Sequence, residues 1–270
     1  MPKKLLVAVI VTLVIVFTAS AYAQDAKDAS PPFPTWPQAT SAANTVEPSA
    51  KTVTAIVVKS WNGGNDPVWG DLNTNWSTYG KIPVSIDYTS LSNSDFTYQD
   101  LVNSKADVVI ISDAAGGTQQ YSSTEFAAIA KYAKKGHSML ATYATFEYST
   151  YDNRGLAPVF GLKSTLTYST TGISNDFKKV AKACLLTKIK GSSWQSNGYN
   201  YSQVPSNGSW KKNLGKAKAV ADSDTFVGVV SLYTTKTYSG VYVSNMPEYN
   251  NVGGPDEQLL YNAITCYVKK

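Results

Sequence analysis

The chain has 270 residues, 43% hydrophobic and 16% charged, enough for one well-buried domain and too apolar for a disordered chain. Its formal charge is +5 with histidine neutral, and it has one arginine, Arg154, and one histidine, His137. Clustered Arg/Lys readout of nucleic acid and histidine-built zinc sites are therefore both disfavoured.

Residues 1–23 read as an export signal. Lys3 and Lys4 form a basic start, residues 5–17 are apolar apart from Thr12, and Ala21-Tyr22-Ala23 fits a cleavage site before Gln24. Without Lys3 and Lys4, 22 bases face 19 acids, and the net charge drops to +3. Residues 24–50, rich in Pro, Ser and Ala, read as a linker. No later segment has the length and apolarity of a membrane span. The expected location is secreted or periplasmic, and the expected domain is 51–270.

That domain alternates strand and helix signals. Residues 52–59 (TVTAIVVK) form a β-branched run apolar on both faces, as in a central parallel strand. A polar loop follows at 60–65, then a candidate helix at 68–79, a strand at 83–88, a short helix at 97–105 and a strand at 106–112. Ser122 and Glu125 make a capping box for a helix that Gly136 ends. A strand at 138–143 and a helical turn at 156–160, closed by Gly161, come next. The Thr-, Ser- and Tyr-rich stretch 163–209 predicts hairpins or long loops. Residues 225–233 and 237–244 predict paired strands, and Pro255 opens a last helix with Leu259, Leu260, Ala263 and Ile264 on its buried stripe. The pattern predicts an α/β, three-layer α/β/α flavodoxin-like fold, mostly parallel, with an antiparallel β-hairpin insertion or edge. Sites in such sheets lie at the carboxyl ends of the strands.

Cys184 and Cys266 are the only cysteines. In an oxidising compartment two lone cysteines are expected to pair, the alternative being two separately buried thiols. Asn62, Asn65, Asp66, Asp71 and Asn73 give an oxygen-rich stretch, but its spacing is not that of an EF-hand, and turn chemistry explains it more simply. His137 precedes the fourth strand, on the edge opposite the expected cleft, where a structural role is expected. No metal or cofactor is expected.

Several segments, in order, resemble the class I glutamine amidotransferase-like superfamily, in its trehalose-utilisation (ThuA-like) branch. They are ADVVIISDAAGG, YSSTEFAAIAKYAKKGHSML, NRGLAPVFGLK, VYVSNMPEY and DEQLLYNAITCYV. The resemblance implies a cysteine nucleophile on a tight strand-to-helix turn, with a histidine and a glutamate completing a triad. In this chain Tyr143 stands at the nucleophile position and Met246 at the histidine position, and only the acid, Glu248, survives. A thioether cannot accept a proton at neutral pH, and a phenol, ordinarily titrating at about 10, is a poor nucleophile without a base. The resemblance therefore implies a catalytically degenerate relative rather than an enzyme.

The expected cleft lining is Trp61, Asn62, Asp113, Tyr143, Met246 and Glu248. Asp113 and Glu248 are the candidate catalytic carboxylates. Tyr, Trp, Ser and Asn are dense between 143 and 210, a composition suited to a glycan or small polar ligand, though also common in β-rich loops. Three functions are carried forward: a non-catalytic domain for binding or surface assembly, a ThuA-like carbohydrate-active enzyme using Asp113 and Glu248, and a purely structural envelope protein tethered by 24–50.

Overall fold

The computed structural model describes residues 51–268 except 61–65, 113–119, 149–150, 166–167, 173–174, 198–200, 206–213, 225 and 250–251. The leader and linker read from 1–50 lie outside the described residues, as do Trp61, Asn62 and Asp113.

Nine strands form one sheet. Its parallel half runs β2 (Val84–Leu91), β1 (Val53–Val58), β3 (Val108–Ile111), β4 (Ser138–Thr142), β13 (Ser239–Val243). Its antiparallel half continues through β12 (Val230–Thr234), β11 (Lys218–Ser223), β8 (Asp176–Lys179) and β9 (Ser193–Gln195). The chain goes outward from β1 to β2, then returns to place β3 on the other side of β1. That reversal puts a topological switch point at the carboxyl ends of β1 and β3.

The parallel strands are continuous apolar runs because both faces are covered: β3 and β4 are buried at every position. Alternation splits their side chains into two cores. On one face Ala55, Val57, Val108, Ile110, Leu140 and Val241 pack with α1 (Pro67–Tyr79) and α4 (Gly254–Thr265). On the other, Ile56, Val109, Ile111, Met139 and Ala141 pack with α2 (Tyr98–Ser104) and α3 (Ser123–Lys134).

Local chemistry sets the ends of these elements. Ser122 and Glu125 form the capping box expected for α3, and Thr97 with Asp100 forms another on α2. Gly161, at φ +70°, closes a 3-10 turn over Arg154–Phe160, and a Cβ there would lie 2.5 Å from the Tyr233 ring. At the free edge of β2 the Asn73 amide accepts from Ile86 N–H at 2.6 Å and donates to its carbonyl at 2.9 Å. One side chain thus stands in for a missing strand at an exposed edge.

The stretch 163–209 holds β7 (Tyr168–Gly172), β8, β9 and β10 (Tyr201–Pro205). β7 and β10 pair antiparallel as a separate two-stranded strap. Two short strands, β5 (Glu147–Tyr148) and β6 (Tyr151–Asp152), form a further hairpin.

The sequence predicts one buried stripe on α4, yet Asp256 through Thr265 are all buried. The insertion covers its outer face. Cys184 and Cys266 are joined as a disulfide with a Cα–Cα distance of 5.8 Å. Asn262 Nδ2 donates to the carbonyls of Leu185 and Thr187 at 2.9 and 2.7 Å. Asp256 accepts from Trp194 Nε1, Ser196 Oγ and the Asn197 N–H at 3.1, 2.7 and 2.7 Å. No helix among the described residues is long and apolar enough to cross a membrane.

Candidate functional site

Three strand ends meet at the carboxyl edge of the sheet. β3 ends into Ser112, β4 ends on Thr142, and β13 leads through Ser244 and Asn245 to Met246 and Glu248. Glu248 is fully buried and joins all three. Its Oε1 accepts from Ser112 Oγ at 2.8 Å and from Thr142 Oγ1 in a short hydrogen bond. Trp69 Nε1, from α1, donates to Ser112 Oγ at 3.3 Å, so the chain of bonds reaches the helix.

Burial lifts the Glu248 carboxyl to about 8, and the nearby Asp66 charge adds to the rise. The hydroxyls of Thr142 and Ser112 pull the other way without cancelling it. Glu248 is thus mostly a neutral acid at pH 7. A proton-accepting partner for a triad histidine would instead be a carboxylate.

Tyr143 follows Thr142 directly and has φ +47°. A left-handed conformation costs a non-glycine residue about 1–2 kcal/mol. Here its backbone is held from several sides. Its N–H lies 2.9 Å from the carbonyls of both Val243 and Asn245, and its own carbonyl accepts from Tyr242 Oη at 2.7 Å. The strained turn expected of a nucleophile elbow is therefore built without a flanking glycine. The Tyr143 side chain packs with Ala144, Met246 and Tyr249.

The structure thus brings together Tyr143, Met246 and Glu248 of the expected set, and all three are buried. Among the described residues they are covered rather than set in an open cleft. The strap is bonded to both loops that carry them. Gln203, itself buried, donates its N–H to the Ser244 carbonyl at 2.9 Å, and its Oε1 accepts from the Phe146 N–H at 2.9 Å. Its Nε2 donates to the Glu147 carbonyl in a short hydrogen bond. Tyr168 of β7 packs on Phe146 at 5.2 Å between ring centroids.

Sequence reasoning misses Asp66, Trp69, Ser112, Thr142 and Gln203. Ser112 and Thr142 do carry a signal: each is the polar residue ending an apolar strand run. Asp66 reads in the sequence as part of an oxygen-rich loop. In the structure it is buried beside Glu248, while Asp71 and Asn73 of that group are engaged with Asn75 and Ile86. Among the described residues no group of three or more His, Cys, Asp or Glu is placed to hold a metal ion.

His137 lies at the opposite edge. It stacks on Tyr132 at 3.7 Å, its Nδ1 bonds the Ala106 carbonyl at 2.8 Å, and burial lowers its pKa. It lines a hollow of about 410 Å³ with Asp107, Lys135, Lys236 and Val268.

Strand order, switch point and strained turn define an α/β flavodoxin-like domain with a candidate site at the carboxyl ends of β3, β4 and β13. No family model and no curated protein matches the chain. Solved structures do. The cytoplasmic protein STM1381 of Salmonella typhimurium LT2 matches with TM-score 0.53 at 13% identity, over 82% of this chain and all of that one. A GMP synthase-type protein of Thermoplasma acidophilum matches at TM-score 0.47 and 13% identity, over 80% of this chain and 94% of that one. A ThuA-like protein of Parabacteroides merdae ATCC 43184 matches at 0.45 and 12%, over 82% and 92%. At such identities the likeness speaks to fold alone, and it is the STM1381 protein that carries it.

Proposed function

We propose that this chain is an exported, catalytically silent domain of the class I glutamine amidotransferase-like fold, serving in binding or in assembly at the cell surface or envelope. The observation that carries the reading is the company Glu248 keeps. Its bonded partners are two hydroxyls, and the residue two positions before it, Met246, packs against Tyr143 where a proton-shuttling ring would be needed. The only histidine sits at the far edge of the sheet. Export is supported by the leader-like residues 1–23 and by the disulfide, a bond that persists in oxidising compartments.

The test is glutamine hydrolysis by the purified domain. The expected result is no release of ammonia above the buffer rate. Robust turnover that disappears in Glu248→Ala would overturn the reading.

A second reading, a carbohydrate-active enzyme working through carboxylates, is favoured by one observation. Glu248 is held protonated partly by a neighbouring acid, as the acid of an acid–base pair is. The neighbour seen is Asp66, and the other candidate partner, Asp113, lies outside the described residues. A glycan panel with Asp66→Asn, Asp113→Asn and Glu248→Gln separates the readings. Glycan binding without product supports the silent domain, and product lost on substitution supports the enzyme.

A further inference from the structure

Four segments distant in sequence meet around the hollow at the amino edge of the sheet. Asp107 precedes β3, Lys135 and His137 lie in the turn from α3 to β4, Lys236 and Thr237 lie in the turn from β12 to β13, and Val268 follows α4. The volume of about 410 Å³ is within the range of small-molecule sites. Gly136, at φ +111°, turns the chain between Lys135 and His137, and both of these line the hollow.

Positive charge is in excess there. Lys135 and Lys236 are exposed, come from different turns and enter none of the ion pairs among the described residues. Asp107, the acid in the lining, is already engaged. Its Oδ2 accepts from the Thr54 N–H at 3.0 Å and from Thr54 Oγ1 at 3.2 Å, and Lys51 Nζ lies 3.5 Å from its Oδ1. With Asp107 offset by Lys51, two cations remain without a counter-charge. Cations gathered around a concavity focus a field that draws in an anion, and salt screens it.

His137 adds an acceptor in a fixed pose. Its ring stacks on Tyr132 with centroids 3.7 Å apart, and its Nδ1 lies 2.8 Å from the Ala106 carbonyl. A carbonyl can only accept, so Nδ1 carries the proton. Burial lowers the ring's pKa, which keeps it neutral at pH 7 and leaves a lone pair on Nε2. A neutral imidazole nitrogen accepts from a hydroxyl and does not hold an anion. Val268, half-buried, gives an apolar wall for a carbon skeleton.

We propose that the amino-edge hollow binds a small hydroxylated anion, of the sugar-acid or sugar-phosphate kind. Its anionic group sits between Lys135 and Lys236, on the side away from Asp107, and one of its hydroxyls donates to His137 Nε2. Both kinds of ligand supply the charge and the hydroxyl together. Bare phosphate lacks the carbon-borne hydroxyls, and a neutral sugar lacks the charge. The site is separate from the carboxyl edge and stands whether that edge is silent or reactive.

With one histidine in the chain, a single set of imidazole NMR resonances reports on the hollow. Glucuronate, glucose 6-phosphate, glucose and inorganic phosphate are titrated into the untagged chain at low salt and neutral pH. At least one of the two sugar anions should give a saturable His137 shift, and the tighter of them identifies the ligand kind. Glucose and inorganic phosphate should bind at least about tenfold more weakly. Lys135→Ala/Lys236→Ala, at exposed positions, should weaken the sugar anion about tenfold, the worth of two surface ion pairs. His137→Phe, followed by calorimetry, should weaken the sugar anion and leave inorganic phosphate unchanged. No saturable shift with either sugar anion up to about 10 mM overturns the proposal. So does full affinity in the lysine variant, or inorganic phosphate bound as tightly as the sugar anion.

Discussion

The two edges of the parallel sheet divide the usual ingredients of a site between them. The carboxyl edge has the switch point, the strained Tyr143 turn and a buried acid, Glu248. The amino edge has the hollow, two exposed lysines and the only histidine, but no buried acid among the described residues. Topology places function at the first edge, while open space and a titratable ring lie at the second. Cavity volume and strand topology thus point to opposite edges. The difference teaches that in this fold the strained turn and the buried acid share one edge of the sheet while open space and the imidazole share the other.

The largest test of that contrast is pH. Glu248 and Glu257 titrate near about 8 when folded and near about 4.3 when unfolded. The folded state therefore holds more protons through that interval. Stability is full below about pH 4.5, falls as pH rises and reaches its floor above about pH 8. The combined loss is on the order of 10 kcal/mol, read from urea melts at stepped pH. Stability that climbs from pH 5 to pH 8 contradicts the assignment of both carboxyls.

Next comes the disulfide, which ties the far end of α4 to the insertion. It closes a loop of 82 residues, so Cys184→Ser/Cys266→Ser should lower stability by between about 4 and 5 kcal/mol. The pH dependence should persist, because the acids lie at the other end of the helix.

Smaller is the pair Glu248→Ala and Glu248→Gln. Alanine leaves Ser112 and Thr142 without their acceptor and opens a cavity, at a cost of about 3 kcal/mol in thermal or urea unfolding at pH 6. Glutamine keeps an accepting oxygen and cannot ionise. It should be within about 1 kcal/mol of wild type at pH 6 and more stable than wild type at pH 9. The smallest effect belongs to the amino edge. His137→Phe keeps the stack on Tyr132 and loses one hydrogen bond, about 1 kcal/mol, with no change in how the carboxyl edge titrates.

Much of the parallel half is legible in the sequence. β1, β3 and β4 announce themselves as β-branched or apolar runs with both faces covered. The Ser122–Glu125 box, Gly136 and Gly161 mark their elements at the right places. The antiparallel extension is not legible strand by strand. β7 to β11 are short and polar, and the β7–β10 and β8–β11 pairings skip over intervening strands, so no local period fixes their register. The all-round burial of α4 follows from that same extension, which covers it through residues 184–197.

The site is half legible. Tyr143, Met246 and Glu248 are placed by their resemblance to a known motif order, and they do meet. Asp66 is hidden because an aspartate before a proline-led helix reads as an ordinary turn residue. Gln203 is hidden because a buried polar side chain in a Ser/Thr-rich stretch has no sequence period.

The central claim is that Glu248 stands as a buried neutral acid among hydroxyls. Infrared difference spectroscopy of wild type against Glu248→Gln measures this directly through the carboxylic C=O stretch. A buried-carboxyl band present in wild type near neutral pH, missing in the variant and fading through about pH 8, is the predicted result. A Glu248 that shows only carboxylate bands at neutral pH would contradict it.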